Sequence, residues 1–377
     1  MSAKIKVCHI SEATSGGVLK HLDQLANYIN KDRFEQSFIL SPIKNPSLRD
    51  KKLFFGNELI TIDMTRDISP INDLISLIRI IFFLKKNKFD IIHCHSSKAG
   101  VLGRIAGFLT GHKKNVYTPH AFSFNDFNSK IKNLMFSSIE RMMSFFSSTI
   151  VCVSWGEYHQ AIKFRITNSN KLVVIPNGIN EVKSTAIMKK DEWLQSIGCN
   201  GLEKVIVFSG RFSLQKNPEL FVRAINEMKG SGFVAIMLGN GPLFDRISEM
   251  IKTLQLEDKI RLLGEVSNVD DYLRISDVFV NVSLWESMPY AILEAMAVEV
   301  PVIATDISGT TDLVKDGVTG LLVDPQNHIA LKDALELLIH DNEKREKYSQ
   351  NAKKLIQEHY TIENMIGQLE MVYQEGS

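Results

Sequence analysis

Apolar positions along the chain alternate between two periods. In the first half, short runs rich in β-branched residues at 6–10, 38–40, 59–62, 89–93, 149–153 and 173–175 read as buried strands. Between them, residues 18–29 carry Val18, Leu19, Leu22, Leu25 and Ile29 at helical spacing, 71–86 does likewise, and a further helix begins near Lys98. The second half repeats the rhythm. Strands are predicted at 205–209, 233–238, 260–262, 278–282 and 302–304, and helices at 218–227, 243–254, 270–275 and 289–297. Helices over 344–359 and 363–373 close the chain. Strands alternating with helices of this length predict parallel sheets covered on both faces. Two such series predict two doubly wound, Rossmann-like α/β domains. The junction falls near Pro176-Asn177-Gly178. That gives one domain over 1–180, a second over 181–360, and a terminal helix over 361–377 free to pack back on the first.

The 377 residues are 44% hydrophobic and 23% charged, a globular balance that excludes disorder and collagen-like structure. The net charge of +1 hides a division between the halves. Residues 1–180 hold 24 Lys and Arg against 13 Asp and Glu, while 181–377 hold 20 against 30. The split supports two domains, and a basic half either faces an anionic partner or is simply solvated. No nucleic-acid-binding module is recognisable in it. The longest apolar stretch, 74–84, is broken by Arg79 and falls well short of the about 20 residues a membrane span needs. The opening run enters a strand without a signal-peptide core, and the four cysteines form no C-x-x-C pair. A cytoplasmic protein, soluble or held on the cytoplasmic face of a membrane, is the expectation.

Ligands of open parallel sheets bind beyond the carboxyl ends of the strands. Three loops of that kind carry candidate chemistry. Gly16-Gly17 opens the first helix, where backbone N–H groups can approach a phosphate. Arg211 and Lys216 share the loop before Asn217-Pro218, with Asn217 as expected helix cap; the pair suits a diphosphate or a plain cationic surface. The third loop leads into a helix beginning at Ser287 or Met288, with Pro289 in its first turn. Glu286 and Glu294 then stand eight apart, about two helical turns. Glu286 is placed to accept from sugar hydroxyls, and Glu294 needs a partner, such as an intramolecular ion pair. His93 and His95 share a strand face, but no third ligand has supporting spacing, so buried or site-lining histidines are expected rather than a metal. Residues 128–148 mix Lys130, Lys132 and Arg141 with Leu134, Met135, Phe136, Met142, Met143, Phe145 and Phe146; an anionic membrane or ordinary helix packing accounts for this pattern.

Together these residues resemble the retaining GT-B glycosyltransferases of family 4. The likeness runs from Ile10-Ser11-Glu12 and Gly16-Gly17-Val18 through residues 90–100, Thr118-Pro119-His120 and 175–179. It continues in Gly210-Arg211, Lys216-Asn217-Pro218 and, most specifically, Glu286 to Glu294 with Ala295-Met296-Ala297 and 301–305. The resemblance implies two domains facing across a cleft and a nucleotide-diphosphate sugar held mainly by the second. It implies Arg211 and Lys216 on the diphosphate and Glu294 on the ribose. Glu286 with Ser287, Met288, Pro289 and Tyr290 would hold the sugar. Gly16 and Gly17 would approach the phosphates, His120 would lie near the transferred sugar, and Asn240, Gly241 and Val266 would flank the base. It also implies retention of anomeric configuration, no cofactor and no metal, which agrees with the lack of an Asp-x-Asp sequence. A UDP-sugar donor, a saccharide or lipid-linked acceptor and surface polysaccharide assembly are the expected setting. Ser287 stands where the family usually has Gly, residues 308–312 replace a typical G-G-x-P-E, and Asn240 replaces a common acid. These departures bear on donor identity. A nucleotide-sugar 2-epimerase and a non-catalytic nucleotide-sugar-binding protein share the expected architecture and stay as alternatives.

Overall fold

Apolar runs too short for helices become the strands of two sheets in the computed structural model, which describes residues 3–180, 189–198, 204–228, 230 and 232–375. Cys199 lies outside them. The chain divides into one unit of Met1–Asn177 with Ile362–Ser377 and a second of Gly178–Thr361.

The first unit contains β1 (Ile5–Ser11), α1 (Gly16–Tyr28), β2 (Phe34–Leu40), β3 (Leu53–Phe54), β4 (Asn57–Thr61), α2 (Pro70–Lys86) and β5 (Ile91–His95). Then come α3 (Ser97–Leu109), β6 (Lys114–Thr118), α4 (Lys130–Ser144), β7 (Thr149–Cys152), α5 (Trp155–Lys163) and β8 (Leu172–Val174). The second contains α6 (Lys190–Ser196), β9 (Lys204–Ser209), α7 (Pro218–Glu227), β10 (Phe233–Leu238), α8 (Phe244–Thr253), β11 (Ile260–Gly264) and α9 (Val269–Ile275). It continues with β12 (Val278–Asn281), α10 (Tyr290–Ala297), β13 (Val302–Thr305), β14 (Gly320–Val323), α11 (His328–His340) and α12 (Asn342–His359). The last helix, α13 (Ile362–Gln374), belongs to the first unit.

Among the described residues the first sheet runs β3-β4-β2-β1-β5-β6-β7-β8 and the second β11-β10-β9-β12-β13-β14. Neighbours are parallel except β3 with β4. In each sheet the order reverses beside one strand, β1 between β2 and β5, and β9 between β10 and β12. Loops leaving these strands diverge to opposite faces and open a crevice.

Helix α13 joins the first unit because Ile362, Met365, Ile366, Leu369, Val372 and Tyr373 form one stripe, which packs with Val7, Leu25, Phe34, Ile91 and Val151. Phe208, Phe212 and Phe221 are fully buried around the second sheet, and truncating any of them to Ala would cost about 3–5 kcal/mol.

Helix α4 packs the opposite way from a core helix. It buries Ser137, Glu140, Met143 and Ser144, while Ile131 is 81% and Phe145 is 79% exposed. Its anchor is polar: Glu140 takes Arg104 Nη2 at 2.8 Å and Tyr117 OH at 2.9 Å, and the Arg104 guanidinium lies 3.8 Å from the centre of the Tyr117 ring. The expectation of ordinary packing fails for Leu134, Met135, Met142 and Phe145, which are exposed, and holds for Met143, for Phe136, which packs on the core, and for Phe146, which packs on Phe108. No described helix is long and apolar enough to cross a membrane.

Candidate active site

Lys216 leaves β9 and Glu286 leaves β12, the neighbouring strands at which the second sheet reverses. Lys216 Nζ donates to Glu286 Oε1, and Ser283 Oγ donates to the same oxygen at 2.7 Å. The backbone ties the two loops: Leu284 N donates to Gln215 O at 2.7 Å, and Gln215 Nε2 donates to Trp285 O at 2.9 Å. A third loop, after β10, joins through Gly210 N to Leu238 O and Phe212 N to Asn240 O, both 3.0 Å. Gly239 N reaches Gly264 O at 2.6 Å, bringing in the end of β11 and the half-buried Val266.

Two glycines make this closeness possible. Gly239 has φ +129°, and a Cβ there would lie 2.0 Å from Gly210 O. Gly309, with φ +93°, would place one 2.2 Å from Ser287 O. Five loops, after β9, β10, β11, β12 and β13, therefore meet at the carboxyl edge of the sheet, gathering Arg211, Lys216, Asn240, Gly241, Val266, Glu286, Ser287 and Gly309. Arg211 is exposed and makes no ion pair with a described residue. Lys216, paired with Glu286, and a second cation, Arg211, on the same loop can bind an anion bearing hydroxyl groups.

Three local expectations need correction. Helix α10 starts at Tyr290, and Pro289 is its cap residue rather than part of its first turn. Glu286 consequently lies outside the helix, so a two-turn spacing does not relate it to Glu294, which is half-buried in the second turn of α10. Asn217 occupies the cap position of α7 at φ 49°, yet its side chain makes no capping bond and Nδ2 donates to Pro325 O instead. Met288, Pro289 and Tyr290 are buried, which leaves Ser287 as the half-buried residue there.

In the first unit, Gly16 begins α1 at φ +61°, and the cap residue Ser15 makes no side-chain bond to the helix. The N-terminus of α3 is already occupied. Glu12 accepts from Lys98 N at 3.0 Å, Ala99 N at 2.8 Å and Ser96 Oγ at 2.5 Å.

His120 follows β6 in the left-handed region at φ 53°, with Ala121 at φ 92°. Glu157 holds this turn, accepting from Ala121 N and Val153 N at 2.8 Å each. Burial raises the Glu157 carboxyl to about 7.

Around His120 lies a histidine cluster that sequence spacing did not reveal. His9 stands opposite His93 in the β1–β5 register, and His21 meets the His120 ring edge-on at 4.7 Å. The third histidine near His93 and His95 thus comes from a different strand. Ring nitrogens of His9, His93 and His95, and of His21, His95 and His120, lie within 4.8 Å of one another. The donor sets do not suit a metal, because the central nitrogens are engaged. His93 contacts Tyr373 OH at 2.5 Å and Thr118 Oγ1 at 2.8 Å, while His95 contacts His9 and His120 at 3.2 Å each. Burial lowers His9 to about 3 and His21 to about 4, and holds His93, His95 and His120 well below the usual imidazole range. All five rings are neutral at physiological pH.

Residues 15–183 match the family model for Glycosyltransferase Family 4, and residues 189–355 match that for Glycosyl transferases group 1. The chain is 32% identical over 316 residues to the UDP-Gal:alpha-D-GlcNAc-diphosphoundecaprenol alpha-1,3-galactosyltransferase of Escherichia coli, covering 82% of this chain and 81% of that protein. The chain is a member of this glycosyltransferase family. The transferase is also 26% identical to the capsular polysaccharide biosynthesis glycosyltransferase CapM of Staphylococcus aureus, over 85% of this chain and 86% of that one. Its fold matches that of Anabaena HepE in complex with UDP and glucose at a TM-score of 0.84 and 20% identity, covering 98% of this chain and 100% of the other. The enzyme is thus a GT-B glycosyltransferase, and the 2-epimerase alternative is not favoured by these relatives. Within it, Lys216 and Glu286 were legible from sequence, whereas His9, His21 and Gln36 were not, each being an isolated polar residue in an otherwise ordinary element.

Proposed function

We propose that this glycosyltransferase transfers a sugar from a UDP-sugar to a lipid-linked or free saccharide in surface polysaccharide assembly, with retention of configuration and without a metal. The observation that carries the reading is the Lys216–Glu286 pair in the β9–β12 crevice, with Arg211 on the same loop and in no ion pair with a described residue. As the donor's anomeric carbon becomes oxocarbenium-like, the departing nucleotide diphosphate gains charge, and preorganised cations lower that barrier. Lys216 and Arg211 serve this purpose. Glu286 orients Lys216 and accepts from sugar hydroxyls, assisted by the Ser287–Tyr290 backbone; Glu294 holds the ribose; Asn240, Gly241 and Val266 flank the base. Within the first unit, Gly16 and Gly17 are suited to offer backbone N–H groups to a phosphate and His120 to accept from a hydroxyl. Attack from the leaving-group side, with the phosphate taking the acceptor proton, gives retention without a covalent intermediate. The first unit carries the acceptor side.

The donor named for the Escherichia coli relative makes UDP-galactose the first to test, with a polyprenyl-diphosphate-linked sugar as acceptor. An acceptor of that kind requires contact with an anionic membrane. The exposed face of α4, with Ile131, Leu134 and Phe145 beside Lys130 and Lys132, supports this, as does the stripe Ile71, Leu74, Ile78 and Phe82 on α2. The purified chain is incubated with nucleotide sugars and that acceptor, and the product's anomeric configuration is read by NMR. An α-linked product supports the proposal. Donor conversion without acceptor, or an inverted linkage, rejects it.

A further inference from the structure

The histidine cluster contains a directional chain whose polarity is set at its inner end. Gln36 Nε2 donates to Leu25 O at 3.1 Å. A carbonyl oxygen only accepts, so the amide nitrogen faces Leu25 and Oε1 faces His9. His9 Nε2 lies 3.1 Å from that oxygen and must carry the proton. In a neutral ring Nδ1 is then an acceptor, and it takes a bond from His95 Nε2 at 3.2 Å. The same logic passes through His95, whose Nδ1 accepts from His120 Nε2 at 3.2 Å. Nδ1 of His120 is left with a lone pair and no partner among the described residues, on a ring that is partly exposed.

We propose that Gln36, His9 and His95 are positioning residues that fix His120 as its Nε2–H tautomer, presenting Nδ1 as an acceptor for a ligand hydroxyl. The ligand half of this statement rests on the role proposed for His120 above; the tautomer half stands on the first unit alone. The rings are tightly seated. His9 and His95 are fully buried, His9 stacks on Phe38 at 4.8 Å, and His120 lies parallel to His95 at 5.5 Å. The device lets His120 Nδ1 accept but not donate, so it recognises a hydroxyl and delivers no proton. His93 stays outside the chain, since Tyr373 and Thr118 take both its nitrogens.

The test uses the full chain without ligand, isotopically labelled at the imidazole nitrogens, with two-bond couplings read at neutral pH and His120→Gln assigning the signal. The expected result is Nε2–H at His9, His95 and His120. Gln36→Leu removes the terminal acceptor, and His9→Phe removes the relay while keeping the stack on Phe38; each is expected to convert His120 to a mixture of tautomers. A wild-type His120 protonated at Nδ1, or one tautomer persisting in a folded variant, overturns the proposal, as does zinc bound stoichiometrically by the cluster. If one variant fails to fold, the wild-type spectrum and the other variant decide. No transfer is needed for this readout, so an inactive chain with the expected tautomer refutes only the proposed function. An active chain with the opposite tautomer refutes only the relay.

Discussion

Lys216 and Glu286, seventy residues apart in sequence, form a direct ion pair across the two strands at which the second sheet reverses its order. The Glu286 side chain is only 9% exposed and the Lys216 side chain 21%. Lys216 is thus held by protein yet still reachable by a ligand, as a diphosphate-binding cation requires.

Lys216→Ala and Glu286→Ala are each expected to lower kcat/KM for transfer by about 10²-fold or more, the scale of losing a preorganised electrostatic contact. Both variants should fold, because neither side chain belongs to the hydrophobic core. Steady-state kinetics with a thermal melt on the same sample checks this; wild-type turnover in either variant removes that residue from the mechanism.

Turnover is expected to survive EDTA, because the proposed mechanism draws its positive charge from Lys216 and Arg211. Loss of activity in chelator, restored by magnesium or manganese, would contradict the metal-free account.

Gly309→Ala forces a Cβ toward Ser287 O in a left-handed conformation, at a cost of about 2–4 kcal/mol. Displacing the Glu286–Ser287 backbone should weaken donor binding as well as stability. Calorimetric titration of the nucleotide together with a melt reads both, and unchanged affinity would place Gly309 outside the site.

Acid is expected to destabilise the first unit. His9 and His21, lowered by burial to about 3 and about 4, stay neutral in the fold while the unfolded chain protonates below about 6.5. The unfolded state then binds more protons, so stability falls as pH drops from about 6.5 toward 4, by up to about 1.4 kcal/mol per unit for each group. His93, His95 and His120 act in the same direction. Glu157 and Asp23, raised by burial to about 7 and about 6, oppose it over part of the range, but five histidines outweigh two carboxylates. Melting temperature against pH, compared with His9→Phe, measures the slope; a flat profile would mean that the cluster is hydrated.

Ile131→Glu with Phe145→Glu is expected to reduce binding to anionic vesicles severalfold while leaving transfer to a soluble acceptor intact. Co-sedimentation at two salt concentrations reads this, and equal binding by variant and wild type would place the membrane contact elsewhere.

Buried strands and amphipathic helices were the legible part of the sequence. Pro218–Glu227 and Phe233–Leu238 match the expected bounds, because Pro218 marks one start and an uninterrupted apolar run marks the other. Lys114–Thr118 and Gly320–Val323 escaped notice: one is half polar, the other four residues long. Lys216 and Glu286 were recoverable as site residues because both sit in motifs after strands, but their direct ion pair was not, since the ion pair was expected at Glu294. The chain from Gln36 to His120 was not, because strand register alone aligns β1, β2 and β5, and no spacing encodes it. The outward face of α4 also defied periodicity, since its stripe is apolar while its inner contacts are to a buried arginine network.

The central claim is that a diphosphate sits against Lys216 and Arg211. Its most direct measurement is the affinity of nucleoside diphosphates relative to the corresponding monophosphates, for wild type and for the Arg211→Ala, Lys216→Ala double variant. The wild type is expected to prefer the diphosphate of the best-binding base clearly, and the variant to lose that preference. An undiminished preference in the folded variant would contradict that claim.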